Sequence, residues 1–213
     1  MRQVGLDFQV IPSDCEEICA LEAPEALVEE LARQKAENVA GKLAERMRRA
    51  GGIAEKLRGM ENPPERTRED PEARACRESG EEIVVLGADT VVALDGRILG
   101  KPEDEEDAFR MIRGIQGRTH QVYSGVALVA LSGRTGEVVS EKAFHAGTEV
   151  EVLPMGEEEI RAYIATGEPM DKAGAYGIQG RFAAYIKGIA GDYYNVVGLP
   201  LSRLVRELRT LGE

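Results

Sequence analysis

Apolar positions along the chain recur with two different periods, and the change from one to the other marks out the elements. Leu6-Asp7-Phe8-Gln9-Val10-Ile11 alternates as a strand does, and Pro12-Ser13-Asp14 ends it. From Ala23-Pro24-Glu25 the spacing becomes helical: proline stands in the first turn, and Leu27, Val28, Leu31, Ala32, Lys35, Ala36 and Val39 fall on one face. Leu43, Met47, Ala50, Ile53 and Leu57 extend that helix or form a second one. Residues 83–86 and 91–94 are rich in β-branched and apolar side chains, and Asp95-Gly96 is a two-residue hairpin signal. Acids at 103–106 open a helix whose inner face is Ala108, Met111, Ile112 and Ile115, and Gly117 stops it.

The second half repeats the alternation of strand and helix. Residues 119–131 form a long strand, too apolar towards its end to face water. A turn at 132–136 leads to Glu137-Val138-Val139 and a strand over about 143–153. Gly156-Glu157-Glu158-Glu159 opens a helix packed through Ile160, Tyr163 and Ile164. Phe182, Ala184 and Ile186 read as a strand and 188–192 as a turn. A last helix turns Leu201, Leu204, Val205 and Leu208 inward. This alternation predicts an α/β protein, one domain over 1–213. Residues 41–82 differ, with ten Lys/Arg, ten Asp/Glu, Gly51-Gly52 and Pro63-Pro64. They read as a mobile charged surface insertion.

Composition narrows the function classes. A net charge of -11 excludes broad electrostatic binding to nucleic acid but not a small anionic ligand held by a few local cations. No apolar run approaches the roughly 20 residues of a membrane helix, so no membrane partner and a cytoplasmic location are expected. Cys15, Cys19 and Cys76 lack the spacing of a zinc site and read as reduced thiols. His120 and His145 have no metal-ligand companions and read as structural.

One carboxylate interrupts the apolar run Val84-Val85-Leu86-Gly87-Ala88-Asp89-Thr90-Val91-Val92. An acid set among Val and Leu faces desolvation of its charge, so Asp89 needs a partner: a divalent metal, a lysine such as Lys101 beyond the hairpin, or backbone amides at a turn. Lys35 lies on or beside the apolar face of its helix, and either snorkels from the core edge or points into a site. Glu16-Glu17 follows the first expected strand and is either solvated or a metal pair. Gly174, Gly177 and Gly180 sit three apart, a spacing that lets backbone N–H groups approach a base or phosphate, and Gln179 adds an amide with both a donor and an acceptor.

Gly87-Ala88-Asp89-Thr90-Val91-Val92, Gly100-Lys101-Pro102, Ser124-Gly125-Val126 and Asp171-Lys172-Ala173-Gly174-Ala175-Tyr176-Gly177-Ile178-Gln179-Gly180 resemble, in order, the Maf family of nucleoside triphosphate pyrophosphatases. The resemblance implies an elongated, twisted mixed sheet flanked by helices with a cleft between two lobes. It implies hydrolysis of a nucleotide to the monophosphate and pyrophosphate with Mg2+ or Mn2+. Asp89 is then the proton acceptor or a metal ligand, Glu17 a metal ligand with Glu16 as the register alternative, and Lys35 and Lys101 the triphosphate's cations. Lys172 either binds substrate or forms a salt bridge with a neighbouring acid. Thr90 and Gln179 are the specificity positions, and Ala175 to Gly180 resembles the branch acting on dTTP and UTP, with modified pyrimidine nucleotides fitting the same logic. The resemblance also admits a homodimer.

Two departures accompany the match. One is the expanded segment at 41–82. The other is a strand and a Ser-x-Ser-Pro-Arg-Arg loop that the family carries ahead of the part matched by Met1-Arg2-Gln3-Val4-Gly5-Leu6, which reads as a start placed too late. Without that loop's arginines an exposed sheet edge, weak nucleotide binding and slow hydrolysis are expected. The alternative is a catalytically impaired nucleotide-binding or septum-related interaction protein.

Overall fold

A computed structural model describes residues 1–57 and 78–211. Five strands, β1 (Ile83–Leu94), β2 (Arg97–Leu99), β3 (Thr119–Leu131), β4 (Val138–Val152) and β5 (Ile186–Ala190), form one sheet in the order β2-β1-β3-β4-β5. Every pairing is antiparallel, where the family resemblance implied a mixed sheet. Helices cover both faces: α1 (Pro24–Leu57), α2 (Glu105–Ile115), α3 (Glu157–Ile164), α4 (Tyr193–Val197) and α5 (Leu201–Arg209). No helix among the described residues is long and apolar enough to cross a membrane.

The two-residue period of β3 explains its unbroken apolar run. Ala127, Val129 and Leu131 meet Ala32, Ala36, Val39 and Ala40 of α1 on one face. Val126 and Leu128 meet Leu201 and Leu204 of α5 on the other, while Val122 joins Ile112, Ile160 and Phe182 below α2 and α3. Both faces are buried, so no polar alternation is left to read. The hairpin between β1 and β2 turns at Asp95 and Gly96, both with positive φ (51° and 77°) as a type I′ turn requires. Asp104 caps α2 by accepting from the Asp107 amide at 2.7 Å.

Several elements depart from the sequence reading, each for a physical reason. Residues 83–86 and 91–94 belong to one strand, because Gly87 to Thr90 keep their ladder with Ser124 to Ala127. Residues 138–152 are likewise continuous, with a register shift at Ala130/Leu131. Residues 6–11 form no strand; Phe8 and Val10 are exposed, and the segment lines a cavity of about 930 Å³ together with Val39, Met47 and Val85. Among the described residues, β1 over 83–91 pairs only with β3, and the opposite edge carries no ladder. Phe182 and Ala184 lie in a 3-10 turn (Arg181–Tyr185) rather than a strand, since Phe182 packs fully buried against Tyr163 and Tyr176. The strand starts at Ile186 and runs through the expected turn as far as Ala190. Of the charged insertion, 41–57 continues α1, and 58–77, with Cys76, lies outside the described residues.

α4 is short and held by one buried side chain. Asn195 donates from Nδ2 to the Val122 carbonyl at 2.9 Å and to Thr148 Oγ1 at 3.0 Å, tying α4 to β3 and β4. Asn195→Ala is expected to cost about 1–3 kcal/mol by removing these bonds in a buried site. Thermal unfolding should show this as a fall of roughly 2–4 °C in Tm per kcal/mol for a domain of this size.

Candidate active site

α1 lies on the sheet with its backbone in contact, and two glycines permit it. A Cβ on Gly87 would stand 2.2 Å from the Ala32 carbonyl oxygen, and one on Gly125 would stand 2.1 Å from that of Val28. Gly125 is the ladder partner of Asp89, so helix backbone and sheet approach closely beside the carboxylate. Lys35, one turn beyond Ala32, reaches down from the helix and places Nζ 2.5 Å from Asp89 Oδ1. The same Nζ lies 3.0 Å from Glu17 Oε1. Glu17 has no secondary structure to hold it; its segment is fastened to α1 instead. Gln34 Nε2 donates to the Ile18 carbonyl at 2.8 Å, Ser13 Oγ donates to Asn38 Oδ1 at 3.2 Å, and Lys42 pairs with Asp14 at 2.6 Å.

The three groups differ in exposure: the Asp89 side chain is 15% accessible, Lys35 24% and Glu17 51%. Burial pushes the Asp89 carboxyl above its ordinary value of 3.8; the hydrogen bond and charge of Lys35 oppose this, Glu17 adds to it, and Lys101 pulls weakly the other way. Burial works against the Lys35 ammonium too, but the carboxylates of Asp89 and Glu17 outweigh it and hold its pKa above the ordinary 10.5. Lys35 is therefore a permanent cation at neutral pH, beside a carboxylate whose proton affinity has been raised towards that of a general base.

The remaining candidate residues do not join this centre, and only Lys101 acts on it. Lys101 follows β2, is exposed, and acts on both Asp89 and Asp171 through its charge. The glycine-spaced loop is fastened beside it, with Gly174 N donating to the Gly100 carbonyl at 2.9 Å. Lys172 forms the salt bridge left open by the sequence, 2.6 Å from Asp171, and its stem covers Gly177. Gln179 is exposed on the loop. Thr90 points to the opposite face of β1 from Asp89, as the period of two dictates, and its Oγ1 lies 2.8 Å from Ser124 Oγ.

Both histidines have structural partners. His120 is fully buried with Nε2 2.8 Å from the Tyr176 hydroxyl, and burial pulls its pKa down to about 4, so it is neutral at pH 7. His145 pairs with Glu29 at 2.5 Å. Cys15 and Cys19 are free thiols. The sequence pattern assigns Tyr163 only a packing role and Glu168 none, yet these two hold the loop. Tyr163 donates to Glu168 Oε1 at 3.0 Å, and Glu168 Oε2 accepts from the Arg181 amide at 2.9 Å. In the sequence Glu168 stands in Gly167-Glu168-Pro169, which reads only as a helix stop.

The family profile described as Maf-like protein matches residues 1–211. The chain belongs to the Maf family. A protein named dTTP/UTP pyrophosphatase from Agathobacter rectalis is 48% identical over 214 residues, spanning 100% of this chain and 91% of its own. One of the same name from Carboxydothermus hydrogenoformans is 39% identical over 212 residues, with the same shares of 100% and 91%. A third, from Bacillus cytotoxicus, is 52% identical over 139 residues, 64% of this chain and 68% of its own.

Within this Maf protein the metal question can be tested on the donors present. Among the described residues no three His, Cys, Asp or Glu side chains converge as a cage. Asp89 and Glu17 do converge, on the single ammonium of Lys35. Two hard carboxylate donors are the protein share that Mg2+ or Mn2+ takes when substrate phosphates and water supply the rest, so the pair fits such an ion.

Proposed function

We infer that the protein is a nucleoside triphosphate pyrophosphatase that cleaves dTTP and UTP to the monophosphate and pyrophosphate. The observation that carries this reading is the contact of Lys35 with Asp89 between helix and sheet; the names of the similar proteins supply the substrate class. In the reaction a water oxygen attacks the α phosphorus, the bond to the oxygen bridging α and β phosphorus breaks, and pyrophosphate leaves. Asp89 accepts the proton that the water gives up, a task for which its raised pKa suits it. Lys35 and Lys101 place positive charge where the phosphates and the departing pyrophosphate gather it. In its alternative role Asp89 would instead join Glu17 in holding a divalent cation, Mg2+ or Mn2+, which supplies charge neutralisation and orders the attacking water.

The base is selected by the glycine-spaced loop between α3 and β5. Gln179 has an acceptor and a donor to match the carbonyls and the single N–H of a uracil or thymine edge. Thr90 acts on selection through the packing of α4, since its hydroxyl is bonded to Ser124, which in turn donates to the Asn195 carbonyl at 2.9 Å. Lys172 reaches a phosphate only by leaving Asp171.

The test is pyrophosphate release from UTP, dTTP and GTP with Mg2+ or Mn2+. Release from the two pyrimidine nucleotides above that from GTP is the expected result, and Gln179→Ala should reduce the preference by about 10–100-fold, the scale of one hydrogen-bonding group left unmatched. UTP binding without release would make the chain a binding protein instead.

A further inference from the structure

We propose that Glu168 is a positioning residue: its carboxylate fixes the stretch that carries Gln179 and so sets the selection of a pyrimidine base. This rests on the function inferred above. Glu168 starts a 3-10 turn (Glu168–Asp171) just after Gly167, where φ of 73° swings the chain away from α3. It is half-buried, and its partners are not those of a solvated surface acid. Oε1 accepts from the Tyr163 hydroxyl at 3.0 Å, and Oε2 accepts from the Arg181 amide at 2.9 Å. The Tyr163 hydroxyl, on a side chain only 4% exposed, also accepts from the Gly177 amide at 3.3 Å.

One carboxylate and one phenol thus hold the backbone N–H groups two residues before and two residues after Gln179. The fit is close. A Cβ on Gly180 would stand 2.1 Å from Glu168 Oε1 and 2.5 Å from Oε2, so glycine there makes room for the carboxylate itself. A bond from a backbone N–H to an ionised carboxylate is about twice as strong as a neutral one, which suits Glu168 to the task of clamping. The beginning of the loop is anchored separately: Tyr176 is bonded to buried His120, and Ala175, fully buried, keeps a left-handed φ of 59°. Gln179 therefore projects from a segment fixed at both ends. An amide that reads a base edge discriminates only if its donor and acceptor are held in one orientation.

Glu168→Ala, Glu168→Gln and Tyr163→Phe in the full chain test the proposal. The first removes both accepted bonds. The second keeps one carbonyl oxygen for Arg181, and the third preserves the ring packing while removing the hydroxyl. Two readouts are taken: amide hydrogen exchange over residues 177–181, and the ratio of kcat/KM for UTP to that for GTP. Glu168→Ala is expected to speed exchange in 177–181 by about ten-fold or more, the scale of a lost bond to a charged group, while β1 and β3 stay protected. The UTP to GTP ratio should fall by about as much, through KM more than kcat, with partial recovery in Glu168→Gln. Tyr163→Phe should move both readouts in the same direction and to a smaller extent, and it decides the matter if Glu168→Ala does not fold. Unchanged exchange over 177–181 in a chain that cleaves UTP overturns the clamp alone, and faster exchange with an unchanged UTP to GTP ratio overturns its role in base selection. A parent chain with no action on UTP overturns the inferred function, and with it the assignment to base selection.

Discussion

Asp89→Asn is expected to lower pyrophosphate release from UTP by about 10²–10⁴-fold, the usual contribution of a positioned general base. Asparagine has nearly the same shape and cannot take a proton, so the loss reads chemistry rather than packing. Stability should move the other way or not at all. The folded-state pKa of Asp89 is raised by burial, so the protonated form is the one the fold favours. A carboxyl raised in this way favours the folded state at low pH, and that contribution is lost as pH rises from its ordinary value of 3.8 through the raised folded value. At neutral pH the burial of the ionised carboxylate offsets what its pair with Lys35 contributes, so a neutral side chain is expected to change stability little. Thermal unfolding beside the activity assay should show Tm unchanged or higher in Asp89→Asn; a large drop in Tm would assign the lost activity to folding instead.

Gly125→Ala should be among the most destabilising single-methyl additions to this chain. Its Cβ would stand 2.1 Å from the Val28 carbonyl oxygen and 2.2 Å from the carbonyl carbon, and neither atom can rotate aside as a side chain does. α1 must lift from the sheet. Overpacking typically costs about 1–3 kcal/mol, and a backbone collision belongs at or beyond the upper end. At roughly 2–4 °C per kcal/mol, a fall in Tm of about 6–12 °C is expected. Lifting α1 also withdraws Lys35 from Asp89, so activity at a temperature where the variant is folded should fall as well. Gly41→Ala is the control: it lies in α1 with nothing within 4 Å of its Cβ, and should gain about 1 kcal/mol from helix propensity.

The same two glycines show where the sequence is mute. Composition and period locate β1, β3 and α1, and they identify Asp89 as an acid requiring a cation. They put Lys35 on the inner face of its helix. They do not give the register of helix against sheet, because that is decided by Gly87 and Gly125, and a glycine in a strand looks alike whether it bends the chain or admits a helix backbone. Hence a metal, Lys101 and backbone amides remain open from the sequence as partners of Asp89, and only the packed structure brings Lys35 to it at 2.5 Å. Residues 6–11 alternate correctly, yet a strand also needs a ladder, which no local pattern supplies. Phe182 belongs to a 3-10 turn for a related reason: its burial comes from the rings of Tyr163 and Tyr176 and from packing onto the sheet, not from a place in a strand. Glu168 gave no signal, since its partners are a phenol and a backbone amide, and neither leaves a charge pattern.

In the inferred reaction Asp89 works as the base, and the Lys35 ammonium beside it favours its ionised form against burial. The most direct measurement is the pH dependence of kcat/KM for UTP in the parent chain and in Lys35→Met. Lys35 lowers the Asp89 pKa by its hydrogen bond and its charge, against the effect of burial. The acidic limb of the profile should lie above the ordinary carboxylate value in the parent and move to still higher pH in Lys35→Met. A limb that stays in place when Lys35 is removed would show that Asp89 is not the base whose ionisation sets it.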